Sequence, residues 1–326
     1  MKPLVYITRR IPSPGVELVE ECCSVAVHEG DDPPSRDEII RNLADKEGIL
    51  CLITDQINKD VMDAAPRLKV ISTMSVGFEH IDVAEATKRG IYVGHTPGVL
   101  TEATADLAFS LLLSTARRIP EADRYVRKGY WNKPWSPTLL LGESLWGSTL
   151  GIIGLGRIGK AVAKRARGFD MKVLYTDASR AAPEEEAELT VEYRPLEDLL
   201  KESDFVTVHT PATKETYHLI DEERLRLMKP SAILINTSRG SMVDEAALAK
   251  ALKEKWIEAA GLDVFETEPL PAESELWKLE NVLLAPHISA ATSQYDDRAV
   301  ALFCENLRRY LRGEPLLNLV DREKGY

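Results

Sequence analysis

The chain has 326 residues, enough for two domains with cores of their own. Its 41 Lys and Arg against 52 Asp and Glu give a net charge of −11. That balance argues against a general nucleic-acid or anionic-membrane binder, whose affinity rests on excess cations.

In chain order, the N-terminal MKPLVYITRR has neither the long apolar core nor the small-residue cleavage site of a targeting segment. The β-branched runs at 4–8, 48–54, 68–74 and 91–95 predict strands, and the patterns at 16–22, 36–44, 59–64 and 83–89 predict helices between them. Such alternation with short links argues for a parallel sheet covered on both faces. A long helix is expected from Thr101 to Arg118, extending towards Arg127, with apolar Leu107, Leu111 and Ala116 at helical spacing and Thr101 as its cap. Its most apolar part, 107–116, is too short to span a bilayer. The stretch Trp131 to Trp146 holds Pro134 and Pro137 and predicts a loop.

From Ser148 the alternation restarts. Six strands are expected, at 149–154, 172–176, 205–209, 232–236, 259–264 and 282–285, with helices at 157–167, 196–201, 222–228 and 245–253. That is the element count of a dinucleotide-binding doubly wound sheet. The run Glu184 to Glu186 predicts a solvated face, and 292–312 a terminal helix. Cys22, Cys23, Cys51 and Cys304 form no C-x-x-C and lack the density of a disulfide scaffold, so reduced thiols in a cytoplasmic protein are expected.

The loop Gly154-Leu155-Gly156-Arg157-Ile158-Gly159 follows an apolar strand and opens a helix. In G-x-G-x-x-G the first glycine permits the tight turn, the second lets a pyrophosphate approach the backbone, and the third lets helix and strand pack closely. Asp177 ends the next predicted strand, 18 residues after Gly159, where a carboxylate accepts hydrogen bonds from the adenosine ribose. The same loop matches the start of a P-loop, G-x-x-x-x-G-K, but Ala161 stands where a magnesium-binding hydroxyl is needed. A kinase glycine loop lies between strands, whereas this one opens a helix.

Ligands of open parallel sheets bind beyond the carboxyl ends of the strands. Arg239, Glu268 and His287 each follow a predicted strand there. Singly they read as a surface Arg, turn punctuation before Pro269 and a capping histidine, and Glu266 is as good a carboxylate as Glu268. Together a cation, a carboxylate and an imidazole suit carbonyl reduction. Arg would hold an anionic substrate, His donate the proton and the carboxylate hold the imidazolium.

At these residues the sequence resembles the D-isomer-specific 2-hydroxyacid dehydrogenases. The matching pieces are GLGRIG (154–159), INTSRGSMVDEAAL (235–248), AAGLDVFETEP (259–269) and LAPHISAAT (284–292), and the likeness runs over nearly the whole chain. Carried over by position, Arg239, Glu268 and His287 resemble the catalytic trio, which favours Glu268 over Glu266. ISTMSVGFEHID (71–82) and HTPGVLTEATADLAFSLLL (95–113) resemble the glyoxylate/hydroxypyruvate reductases most closely. By that likeness the backbone at Val76 and Gly77 meets the substrate carboxylate, alongside Arg239 and His287. Ser75, Thr104, Thr210, Thr237, Ser238 and Asp263 join the glycine loop and Asp177 in contacting cofactor.

The resemblance further implies two doubly wound α/β domains with a cleft between them. A discontinuous flavodoxin-like substrate domain would comprise 1–99 plus 286–326, and a Rossmann domain binding NAD(P) 100–285. It implies a homodimer whose 131–146 loop carries Trp135 to the partner's substrate pocket, and no metal. The expected reaction is NAD(P)H-dependent reduction of a small 2-oxoacid. Asp177, with Ala178 after it, points to NADH, because a carboxylate repels a 2′-phosphate; Arg180 is the opposing feature, and NADP stays possible. A phosphoglycerate dehydrogenase-like enzyme is the rival within the family; many of those carry an added C-terminal regulatory domain, whereas this sequence stops soon after its last expected helix. Formate dehydrogenase is disfavoured because Pro286 precedes the histidine where those enzymes carry Gln. An NAD-sensing corepressor is the alternative of another class.

Overall fold

A computed structural model describes residues 2–320 apart from positions 12 and 31. The chain folds as two compact units, Met1–Leu100 with Ala291–Tyr326, and Thr101–Ala290.

In the first unit β1 (Leu4–Ile7), α1 (Ser13–Glu20), β2 (Ser24–Val27), α2 (Arg36–Leu43), β3 (Gly48–Cys51), α3 (Lys59–Asp63), β4 (Val70–Thr73), α4 (Val83–Lys88) and β5 (Tyr92–Gly94) alternate along the chain. The five strands pair in parallel in the order β2-β1-β3-β4-β5, the flavodoxin-like winding. Ser35, Asn58 and Asp82 start α2, α3 and α4 by accepting a backbone N–H of the first turn. One face of the sheet packs on Ile39, Leu43, Val61, Met62 and Ala86. The other packs on Val19 of α1 and on Val300, Phe303 and Leu307 of the terminal helix.

The second unit opens with α5 (Thr101–Ala116) and α6 (Ile119–Arg127). The single long helix expected here is therefore two: Arg118 sits at φ +54, and Pro120 starts the second helix. A proline at this position has no N–H to donate to the Ala116 carbonyl, and its ring would clash with that carbonyl in a continuous helix. Then follow β6 (Thr149–Ile153), α7 (Arg157–Ala166), β7 (Lys172–Thr176), α8 (Pro183–Leu189), β8 (Val191–Tyr193), α9 (Leu196–Glu202) and β9 (Phe205–Val208). The unit ends with α10 (Glu222–Leu227), β10 (Ile233–Asn236), α11 (Glu245–Lys253), β11 (Ala259–Leu262) and β12 (Val282–Leu284), and α12 (Ser293–Leu311) belongs to the first unit.

The second sheet has seven parallel strands, not six, in the order β12-β11-β10-β9-β6-β7-β8. That is the Rossmann winding, with the order reversing between β6 and β9. Alternation sends successive side chains to opposite layers. Ile152, Ile233 and Ile235 pack with α5 and α7, whereas Ile153 and Leu234 pack with α9 to α11. The acidic run expected as a solvated face forms the first turn of α8, where three carboxylates complement the helix dipole.

Candidate active site

The glycine loop joins β6 to α7. Gly154 has φ +97, and a Cβ there would lie 2.8 Å from the His209 carbonyl carbon. A Cβ on Gly159 would lie 2.1 Å from the Gly154 oxygen, so α7 reaches the strand only because this residue has no side chain. A Cβ on Gly156 meets nothing within 4 Å. Gly156 is also the N-cap of α7 and offers no side-chain acceptor to the first-turn amides, Arg157 and Ile158 among them. Open space above uncapped amides at a positive helix end is what a pyrophosphate needs. Asp177, just past β7, accepts the Leu155 N–H through Oδ2 at 2.7 Å, which fixes the carboxylate against the loop.

Other expected cofactor contacts, Thr210, Thr237, Ser238 and Asp263, follow further strands of the same sheet. Thr237 follows β10, and its hydroxyl is buried without a hydrogen-bond partner; so is that of Thr104 in the first turn of α5. Leaving a buried hydroxyl unpaired costs about 1–3 kcal/mol, so both fit a missing ligand group. Thr210 and Ser238 are tied together, the Ser238 hydroxyl donating to the Thr210 carbonyl. The loop, the acid and the hydroxyls thus fit a dinucleotide.

Arg239 precedes a short 3-10 turn, Gly240–Met242. Asn236 holds that turn, its side chain accepting from Ser238 N at 3.0 Å and donating to the Arg239 carbonyl at 2.8 Å. A Cβ at Gly240 would sit 1.8 Å from the Phe265 carbonyl carbon, so the Arg239 turn lies directly on the segment leading to Glu268. His287 Nδ1 lies 2.6 Å from Glu268 Oε2, while Glu268 Oε1 accepts Phe265 N–H at 3.0 Å. Partial burial works to raise the Glu268 pKa, but the His287 hydrogen bond, the Phe265 amide and the charge of Arg239 outweigh it and hold the carboxyl below its ordinary range.

His287 stands at φ +54. Its conformation is held by Asp263, fully buried at the end of β11, whose carbonyl accepts His287 N–H at 2.9 Å. The Asp263 carboxylate accepts from Ile288 and Ser289 N–H, both at 2.8 Å. Burial pushes the Asp263 pKa up, opposed by these amides.

Sequence reasoning missed several parts. Glu266 meets not His287 but His218, whose Nε2 is 2.9 Å from Glu266 Oε1 at an angle poor for hydrogen bonding, while Nδ1 is 3.8 Å from Asp244. Glu266 Oε1 also accepts Glu245 N–H at 2.9 Å, which fastens the Phe265–Glu268 segment to α11. In the first unit Ser75 donates to the Gly77 carbonyl at 2.6 Å, and Thr73 Oγ1 joins Ser75 at 2.9 Å and His80 at 3.0 Å. His95 Nδ1 lies 2.9 Å from the Val76 carbonyl, so the Ser75–Gly77 turn is held from both sides. Trp135 is 82% exposed in its loop.

Comparison with known proteins agrees with this geometry. Residues 109–289 match the family model described as D-isomer specific 2-hydroxyacid dehydrogenase, NAD binding domain. A glyoxylate reductase of Thermofilum pendens is 56% identical over 99% of this chain and 95% of its own. The crystal structure of a Thermus thermophilus protein superposes with a TM-score of 0.91 at 44% identity, covering 98% of this chain and all of that one. An NADPH-dependent glyoxylate/hydroxypyruvate reductase of Sinorhizobium meliloti, solved with NADP and malonate, gives 0.85 at 33% identity over 99% of this chain and 98% of that one. The chain is a member of the D-isomer specific 2-hydroxyacid dehydrogenase family, with its NAD-binding domain in the second unit.

Proposed function

We propose that this protein is a glyoxylate reductase that also accepts hydroxypyruvate, reducing the 2-oxoacid to the 2-hydroxyacid with NAD(P)H. The observation that carries this reading is the 2.6 Å Glu268–His287 pair on the same unit as the glycine loop, with Arg239 acting on the same carboxylate. A bound nicotinamide supplies the hydride. His287 protonates the developing alkoxide, using the ring nitrogen that Glu268 leaves free. Glu268 fixes the ring's orientation and offsets the imidazolium charge. Arg239 binds the carboxylate and carbonyl oxygens and stabilises negative charge at the transition state. Val76 and Gly77 supply backbone N–H groups to the substrate carboxylate.

Gly154 through Gly159, Asp177, Thr104, Thr210, Thr237, Ser238, Asp263 and Ser75 hold the cofactor in this account. NADH is preferred over NADPH because Asp177 presents negative charge where a 2′-phosphate would lie. The Sinorhizobium relative is NADPH-dependent, so the cofactor choice is argued from Asp177 of this chain and not carried over from that relative. The protein acts as a cytoplasmic homodimer. Support for the dimer comes from α6, which buries no residue, and from the adjoining loop, where Trp135 is 82% and Trp146 73% exposed. Trp135 lines the partner's substrate pocket. Among the described residues no helix is long and apolar enough to cross a membrane.

A cofactor-oxidation screen over glyoxylate, hydroxypyruvate, pyruvate and phosphohydroxypyruvate tests the reading. The highest kcat/KM belongs to glyoxylate or hydroxypyruvate. Preference for phosphohydroxypyruvate would make the chain a phosphoglycerate dehydrogenase-like enzyme, and no turnover with any of them would favour a binding role.

A further inference from the structure

The loop between β7 and α8 carries a charge arrangement that the reaction does not use. Glu186, in the first turn of α8, takes Arg180 in a two-pronged ion pair: Oε1 accepts from Nε at 2.8 Å and Oε2 from Nη2 at 2.9 Å. Oε1 also accepts the Tyr175 hydroxyl at 2.6 Å. Tyr175 is fully buried in β7, and its oxygen accepts the Ala181 N–H at 2.9 Å. A core residue therefore orients the acid, and the acid holds the cation. The Glu186 side chain is 13% exposed and that of Arg180 63%. Arg180 also stands 5.6 Å from the centre of the Tyr193 ring. It lies three residues beyond Asp177, whose carboxylate is fixed on the glycine loop.

We infer that Glu186 is a specificity-determining residue that disfavours NADP(H) by holding Arg180 in an internal ion pair, away from a 2′-phosphate. The inference rests on the NADH reading above and deepens it. Asp177 supplies repulsion, and Glu186 withholds the cation that would cancel it. To reach a phosphate, Arg180 must leave a carboxylate that Tyr175 keeps in place. Because Arg180 is largely exposed, the ion pair is a modest bias, about fivefold at most.

The test is equilibrium binding to the full-length protein by titration calorimetry, with AMP and adenosine 2′,5′-bisphosphate as probes, so that it needs no turnover. Glu186→Gln keeps the shape and the Tyr175 hydrogen bond but loses the charge. It should tighten bisphosphate binding about three- to fivefold and leave AMP within about twofold. Arg180→Met alone should change bisphosphate binding less than about twofold, and combined with Glu186→Gln it should abolish the gain. No tightening in Glu186→Gln, or a gain that survives the loss of Arg180, would overturn the inference. So would a large loss in Arg180→Met alone, since Arg180 would then already serve the phosphate. The two readings separate in steady-state kinetics: a wild-type preference for NADPH defeats the NADH reading, whereas the response to Glu186→Gln judges the ion pair.

Discussion

Gly240→Ala tests how the trio is assembled. An added Cβ at this position would stand 1.8 Å from the Phe265 carbonyl carbon and 2.0 Å from its oxygen. Ordinary contact begins near 3.4 Å, so one backbone must retreat by about 1.6 Å. Both neighbours are backbone, and neither yields by rotating a side chain. The Arg239 turn is braced by Asn236, and the Phe265–Glu268 segment is braced by Glu245 and His218. Displacement therefore separates Arg239 from Glu268 and, through Glu268, disturbs His287. Overpacking of this kind costs about 1–3 kcal/mol of stability, and a misplacement of about 1 Å at reacting groups costs on the order of a hundredfold in rate. Glyoxylate reduction should fall by about that factor in kcat/KM, with a lowered Tm but a folded protein whose NADH affinity falls less than its turnover, because the glycine loop and Asp177 lie on other strand ends and only Thr237, Ser238 and Asp263 flank the displaced backbone. A folded variant with wild-type kcat/KM would refute the reasoning.

Arg239→Lys should lose most activity although charge is kept, because an ammonium lacks the planar fork; a raised KM at unchanged kcat would reduce Arg239 to simple binding. Glu268 has a depressed pKa, so the stability its pairing contributes is present above the ordinary glutamate range and is lost as pH falls through the lower folded value. Calorimetric Tm should therefore be lower in Glu268→Gln at neutral pH, with the difference shrinking as the medium is acidified below about pH 4.3; a difference that grows on acidification contradicts the assignment. Asp177→Ser with Ala178→Arg should narrow or reverse the NADH preference in kcat/KM, and an unchanged ratio would free Asp177 of that role.

The sequence made the doubly wound plan legible because parallel strands buried on both faces read as apolar runs between helical patterns. It hid the edge strands β2 and β8, in which small or charged residues interrupt the apolar pattern, Ser24 and Ala26 in β2 and Glu192 in β8. Gly154, Gly159 and Asp177 were legible because their spacing carries the mechanism of phosphate and ribose binding. The choice between Glu266 and Glu268 was not, since both follow β11 and periodicity cannot say which one turns towards His287. That is decided by contacts between residues far apart in sequence, His218 with Glu266 and Glu268 with His287. Arg180 likewise read as an available cation, because nothing in its spacing signals Glu186 as its partner.

The central claim, that His287 is the proton donor of a 2-oxoacid reductase, is tested most directly by His287→Ala, with turnover and cofactor binding measured on the same preparation. Glyoxylate reduction should fall by about a hundredfold to ten-thousandfold while the Kd for NADH stays within about threefold. Near-normal turnover would contradict the account and leave His287 as no more than the residue that Asp263 and Glu268 hold in place.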